Sequence, residues 1–297
     1  MTNSLLPTKQ CVLLQSVLFA CALAAGPATA ACMSDDDAVA MVDNYLDRKP
    51  AKNPEGLSDA DGVCSRTKIN NLLAMHMGKP VGYKAGLTNP AVQKRFNYDK
   101  PVRGTLYSNM LLESGDTVDA AFGARPLFEA DLLVRVKDAA ALTNAKTPMD
   151  VLLAIDQVIP FIELPDLMVE APPKLNGPAV NAINVGARLG VLGKPIAVPN
   201  TRAERFAMHD GLRDMTVTVS DGATEIGRGK GSDILEHPLN AVVWLVQDLA
   251  KENLALKEGD LVSLGSFSPL FPTKPGIKAV VNYQGLPGAT PVSVNFK

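Results

Sequence analysis

The sequence predicts an α+β chain, and three observations carry that prediction. Apolar residues recur at helical spacing near the N-terminus, the C-terminal two-thirds is strand-rich with helices interposed, and Asp221-Gly222 marks a hairpin. Its 297 residues accommodate one large core or two modest ones, and 46% apolar against 20% charged content excludes wholesale disorder. Internal repeats, coiled-coil heptads and low-complexity tracts are absent.

Residues 1–10 are mostly polar, residues 11–25 almost wholly apolar, and Ala28-Thr29-Ala30 ends the segment with a small-x-small triplet. That order predicts a secretory signal peptide over 1–30, because the apolar run is short for a membrane span. The expectation is an exported, periplasmic protein with no membrane span. Cys32 and Cys64 are then the remaining cysteines, and three outcomes stay open for them: a disulfide, lipid attachment at Cys32, or two free thiols.

Asp35–Asp37 predict a helix start that runs to about Lys49, where Pro50 stops it. Residues 50–62 read as a loop. Ser65 is expected to cap a second helix to Met77, with His76 at its end and Gly78-Lys79-Pro80 as the stop signal. A strand over Val81–Ala85 and a short helix opened by Asn89-Pro90 follow. Lys84 sits among Gly82, Ala85 and Gly86, which allow close backbone approach. Buried, it needs an anionic partner; the alternative is an edge-strand lysine facing water.

LFEADLLVRV, residues 127–136, has the pattern of a strand, and period-two geometry places Glu129 and Asp131 on one face. Like charges so close repel unless a cation lies between them or one is protonated. Oxygen-only ligands suit Mg²⁺ or Mn²⁺ rather than zinc. The alternative is a solvated face with Arg135 offsetting the charge. A helix from Thr147-Pro148 to about Val158 leads into VIPFIELPDLM, where Glu163 is a lone acid in an apolar run. A cation shared with Glu129 and Asp131 removes the cost of burying it.

Thr201–Leu212 is expected to be helical with His209 on its exposed side, and 215–232 to form the hairpin. His237-Pro238 opens a helix to about Ala250, so His237 is either an acid–base group or a helix-start residue. Strands over 261–267, 278–283 and 292–296 close the chain. The 29 basic and 31 acidic residues leave a net charge of −2, which gives no electrostatic footing for nucleic acid. Five Tyr, nine Phe and one Trp offer few stacking platforms, and three His with four Cys cannot build a dense zinc or iron–sulfur site.

Five blocks occur in a recognisable order: VGYKAGLTNPAVQ…GTLY, PLFEADLLVRV, VIPFIELPD, GRGKGSDILEHPLNAVVWLVQDLA and KEGDLVSLGSF. Together, from about residue 66 to the C-terminus, they resemble the fumarylacetoacetate hydrolase superfamily, and within it the 2-keto-4-pentenoate hydratases and 4-oxalocrotonate decarboxylases. The resemblance implies a helical N-terminal region over 31–80. It implies a catalytic domain over 81–297 whose mixed β-sheet rolls into a distorted barrel, as in the superfamily's C-terminal domain. It implies Mg²⁺ or Mn²⁺ held by Glu129, Asp131 and Glu163, Lys84 at the carboxylate or enolate of a small 2-keto acid, and a homo-oligomer. The implied activity is a lyase reaction, hydration of 2-hydroxypenta-2,4-dienoate. Decarboxylation of a 2-oxo acid, hydrolysis of a C–C bond and non-catalytic ligand binding are the alternatives.

The chain also departs from that pattern. Val102 stands where the hydratases carry a second acid, Arg103 where they carry an aromatic, and Asn184-Val185-Gly186 lacks a serine hydroxyl. Glu236 replaces a glycine before His237-Pro238-Leu239-Asn240. Glu236 is therefore expected to stand in for the missing acid beside His237 as a catalytic candidate, and Arg103 to bind a further substrate anion.

Overall fold

The structure, a computed structural model, describes residues 1–3 and 32–297. The signal-peptide expectation for 1–30 falls almost wholly outside those residues. No described helix is long and apolar enough to cross a membrane.

The chain opens with two helices, α1 (Asp35–Leu46) and α2 (Asp59–Ala74). Ser34 caps α1 by accepting the Asp37 N–H. The helix stops at Leu46 rather than Lys49, and Arg48 turns the chain with φ at 57°. The start of α2 is also corrected. Ser58 and Asp61 form a reciprocal capping box within the stretch expected to be loop. Ser65 lies buried inside the helix instead, its hydroxyl accepting the Met33 N–H. Cys64, one residue earlier on α2, is joined to Cys32 by a disulfide with Cα atoms 5.5 Å apart.

Then come β1 (Pro80–Gly86), α3 (Pro90–Arg95), β2 (Val102–Tyr107), β3 (Leu111–Glu113), β4 (Thr117–Val118) and β5 (Leu127–Val136). The helices α4 (Ala139–Thr143) and α5 (Pro148–Ala154) lead into β6 (Ile155–Leu164). Helix α5 ends four residues before Val158 because β-strand pairing with β5 captures the chain from Ile155 onward. After α6 (Gly177–Ala182) come β7 (Leu189–Leu192), β8 (Ile196–Ala197), α7 (Arg202–Asp214) and the hairpin β9 (Thr216–Asp221) and β10 (Thr224–Lys230). Helix α8 (Asn240–Ala250), β11 (Leu261–Ser263), β12 (Phe271–Pro272), β13 (Lys278–Gln284) and β14 (Val292–Phe296) complete the chain.

The strands form two mixed sheets. One follows the order β2-β1-β11-β5-β6-β7-β3, with β12 beside β5 and β8 beside β6; the other runs β10-β9-β13-β14-β4. Alternation along β5 and β6 separates two surfaces of the larger sheet. Ala130, Leu132, Val134 and Ile162 enter the main core with Val217, Val281 and Val294 of the smaller sheet and Val242 and Leu245 of α8. Leu133 and Phe161, at the opposite parity, join a separate small cluster. A further core packs α1, α2 and α6 around Tyr107, Met110 and Val169.

Candidate active site

The opposite parity of β5 and β6 also carries the acids. Antiparallel pairing sets Glu129 opposite Glu163 and Asp131 opposite Phe161. Neither surface of β5 is solvated: Glu129, Asp131 and Glu163 are all buried, and Arg135 is turned to Asp156 at 2.6 Å. Lys84 comes from β1, pairs in register with Ser263 of β11, and is also buried. Its Nζ contacts Glu163 Oε1 and donates to the Val185 carbonyl at 3.0 Å. Lys84 is thus neither an edge residue nor free in water.

Local backbone geometry makes this convergence feasible. Val185 has φ at 55°, a left-handed conformation unfavourable for a β-branched residue, and it presents its carbonyl to Lys84. Neighbouring Asn184 anchors the turn by accepting the Thr105 N–H at 2.7 Å and donating to the Thr105 carbonyl at 3.0 Å. Gly265, with φ at 105°, leaves room where a Cβ would stand 2.0 Å from Thr88 Oγ1.

Asp131 stands behind the cavity wall. Its Oδ1 accepts N–H groups from Leu132 at 2.6 Å, Gly265 at 3.0 Å and Leu264 at 3.2 Å, while the Ser263 hydroxyl donates to Oδ2. Burial pushes Asp131 up to about 7, against the opposing Ser263 hydrogen bond. Burial also raises Glu129, opposed by Lys84, by the Ser266 hydroxyl and by Arg95. Lys84 is pushed down to about 8 by burial, against the pull of Glu129 and Asp131.

Lys84, Glu129 and Glu163 open onto one cavity, walled by Leu87, Val92, Phe96, Leu167, Val180 and Val185 and floored near Gly265 and Ser266. The cavity is small, with a water-accessible volume of about 50 Å³. Among the described residues, no three His, Cys, Asp or Glu side chains are gathered at metal-binding spacing. The donor set nonetheless fits a divalent cation in chemistry and charge. All donors are carboxylate oxygens, and one ammonium against three buried carboxylates leaves negative charge to neutralise.

Three other sequence candidates are not brought to this cavity. Glu236 is exposed and lines a neighbouring surface cleft with Trp244 and Pro101, meeting the first cavity only at Asn89. His237 is drawn into the protein. Its Nδ1 accepts the Leu239 N–H at 3.1 Å, so Nε2 carries the proton and donates to the His209 carbonyl, also at 3.1 Å. Burial lowers its pKa to about 4, aided by His209, whose ring lies 4.5 Å away. The acid–base expectation for His237 is therefore corrected: both ring nitrogens serve local structure. Arg103 is corrected likewise. It turns away to Asp248 at 3.0 Å and to Glu252, which also accepts Arg66 at 2.6 Å. Sequence reasoning missed Ser263, Ser266 and the Val185 carbonyl; the serines were visible only as small residues in the run LVSLGSF, expected to be strand over 261–267 but paired only over Leu261–Ser263.

No family model matches the chain. A 2-keto-4-pentenoate hydratase of Dechloromonas aromatica is 29% identical over 243 residues, covering 80% of this chain and 87% of the relative. The 4-oxalocrotonate decarboxylase of Pseudomonas putida is 29% identical over 229 residues, 76% of this chain and 82% of the relative. A solved structure of 4-oxalocrotonate decarboxylase from Pseudomonas putida G7, complexed with magnesium and adipate, superposes with a TM-score of 0.77. It is 25% identical and covers 89% of this chain and 97% of that one. The chain is thus similar, over three-quarters or more of its length, to 2-keto-4-pentenoate hydratases and to a 4-oxalocrotonate decarboxylase. Its mixed-sheet fold is that of the fumarylacetoacetate hydrolase superfamily.

Proposed function

We propose that the protein is a lyase acting on a small 2-keto or 2-enol carboxylic acid, with hydration of 2-hydroxypenta-2,4-dienoate as its parent reaction. The supporting observation is the convergence of Lys84, Glu129 and Glu163 on one cavity whose remaining wall is largely apolar. Glu129 and Glu163, backed by Asp131, would hold Mg²⁺ or Mn²⁺, and the ion would supply electrophilic stabilisation of negative charge on the substrate. Lys84 binds the substrate carboxylate or C2 oxygen, and its lowered pKa lets Nζ exchange a proton near neutrality. Ser263 and the Leu264 and Gly265 N–H groups fix Asp131. Val92, Phe96 and Val180 exclude water from the substrate chain.

No histidine among the described residues lines this cavity, which favours the lyase reading over C–C hydrolysis by a His-activated water. The test follows the ultraviolet decay of 2-hydroxypenta-2,4-dienoate with the purified protein, with Mg²⁺ or Mn²⁺ and again with EDTA. Metal-dependent formation of 4-hydroxy-2-oxopentanoate is expected, abolished in Lys84→Met. Carbon dioxide release from a 2-oxo diacid without hydration would replace hydration by decarboxylation. We also place the protein in the periplasm, and the Cys32–Cys64 bond supports this because disulfides persist in oxidising compartments. Recovery of the protein in the cytoplasmic fraction with an intact N-terminus would contradict that location.

A further inference from the structure

The acid at position 131 is set apart from the two that share its sheet. Glu129 and Glu163 open onto the cavity, whereas Asp131 is fully buried and does not line it. What occupies its carboxylate is an irregularity in the chain beyond β11. The Leu264 N–H donates to the Leu132 carbonyl at 3.0 Å, and the Phe267 N–H donates to the Ala130 carbonyl at 2.9 Å. Between these two bonds the chain advances three residues, from Leu264 to Phe267, while β5 advances two. The surplus is taken up as a bulge at Gly265, whose φ of 105° favours glycine.

A bulge leaves its extra residue without a partner on the opposing strand. Asp131 supplies that partner from its side chain. Its Oδ1 accepts the Gly265 N–H at 3.0 Å and a share of the Leu264 N–H at 3.2 Å, beside the Leu132 N–H at 2.6 Å. The Ser263 hydroxyl donates to Oδ2. Three N–H groups fill the accepting capacity of Oδ1. Gly265 and Ser266, the residues so placed, form part of the cavity wall. Beyond them the Ser266 hydroxyl donates to the Ser268 carbonyl at 2.7 Å, and Ser268 Oγ accepts the Ala130 N–H at 3.0 Å. The cavity floor is thereby bonded back onto β5 beside Glu129.

We propose that Asp131 is a positioning residue rather than a metal ligand: its carboxylate holds the bulge at Gly265 and so fixes the cavity floor, and a divalent ion takes only Glu129 and Glu163 from this chain. This rests on the cavity being the metal and substrate site, and it narrows the ligand set expected from the sequence. It agrees with the absence, among the described residues, of three acids at metal-binding spacing. Two carboxylates suit Mg²⁺, which keeps several waters and is commonly bound through one or two such groups.

The test measures Mn²⁺ affinity by calorimetry in the purified protein and in single variants. Asp131→Asn keeps an acceptor for the three N–H groups, and the Ser263 hydroxyl can turn to accept from the new amide. Its affinity is expected to stay within about threefold of wild type, while Glu129→Gln loses at least about tenfold. Asp131→Ala, which leaves the bulge unpartnered, is expected to lose about tenfold, so that the isosteric amide restores what the truncation removes. A loss in Asp131→Asn as large as that in Glu129→Gln would make Asp131 a ligand and overturn the inference, and this comparison stands even if Asp131→Ala fails to fold. Wild-type affinity in a folded Asp131→Ala would overturn the positioning role. Failure of the wild-type protein to bind Mn²⁺ would overturn the inference together with the reading of the cavity beneath it.

Discussion

Glu129 and Glu163 stand directly opposite one another on adjacent antiparallel strands, and Lys84, three places along the same sheet from Glu163, reaches across to it. Like charges facing each other across a strand pair destabilise a sheet. Here the pair persists because an ammonium lies against one member and burial favours a proton on the other.

The first expectation concerns that pair. Glu163→Ala removes one of two carboxylates open to the cavity and leaves the apolar cores untouched. Mg²⁺ or Mn²⁺ affinity, measured by calorimetry, is expected to fall at least about tenfold while the circular dichroism spectrum is retained. Unchanged affinity would mean that the ion is held elsewhere.

A second concerns His237, whose pKa of about 4 lies below its ordinary value of 6.5. Between those values the unfolded chain takes up a proton that the native ring refuses. Its contribution to stability is therefore present above about pH 6.5 and is lost as pH falls toward 4. The loss is on the order of 3 kcal/mol by pH 4. Urea unfolding of wild type and His237→Gln at several pH values should converge in acid. Long-range ¹H–¹⁵N spectra should show the Nε2–H tautomer; an imidazolium at pH 6 would contradict the geometry.

The disulfide closes a loop of 32 residues in sequence separation, between the segment before α1 and the middle of α2. Chain-entropy arguments assign such a closure about 2–4 kcal/mol. Reductant should lower the urea midpoint accordingly, and the oxidised protein should weigh two mass units less than the reduced one.

Arg103 is the fourth case. Removing it in Arg103→Met leaves Asp248 and Glu252 with less compensating charge, but these acids are 19% and 25% exposed and Glu252 keeps Arg66. The expected destabilisation is about 1–3 kcal/mol, below that of a fully buried pair. Divalent-ion affinity should not change, because the side chain points away from the cavity.

Much of this was legible residue by residue. The strands 127–136 and 292–296 have the bounds their alternation predicts, and Asn89-Pro90 and Thr147-Pro148 cap the helices they were expected to cap. Local signals failed where two competed. Ser58 and Ser65 both precede helical spacing, and only the reciprocal bonds between Ser58 and Asp61 decide between them. Val158 fits either the end of a helix or a strand, and pairing to β5 makes it strand.

The sequence by itself determined that acids stand at positions 129, 131 and 163 and a lysine at 84, and its two-residue period placed the first two on one side of a strand. Tertiary structure decided which of them share a cavity, because strand register and a left-handed turn at Val185 are long-range outcomes that no local pattern encodes. It also turned Arg103 and His237 away. A side chain's chemistry is written in its residue type, but its partners are set by which distant groups the packed chain leaves unpaired.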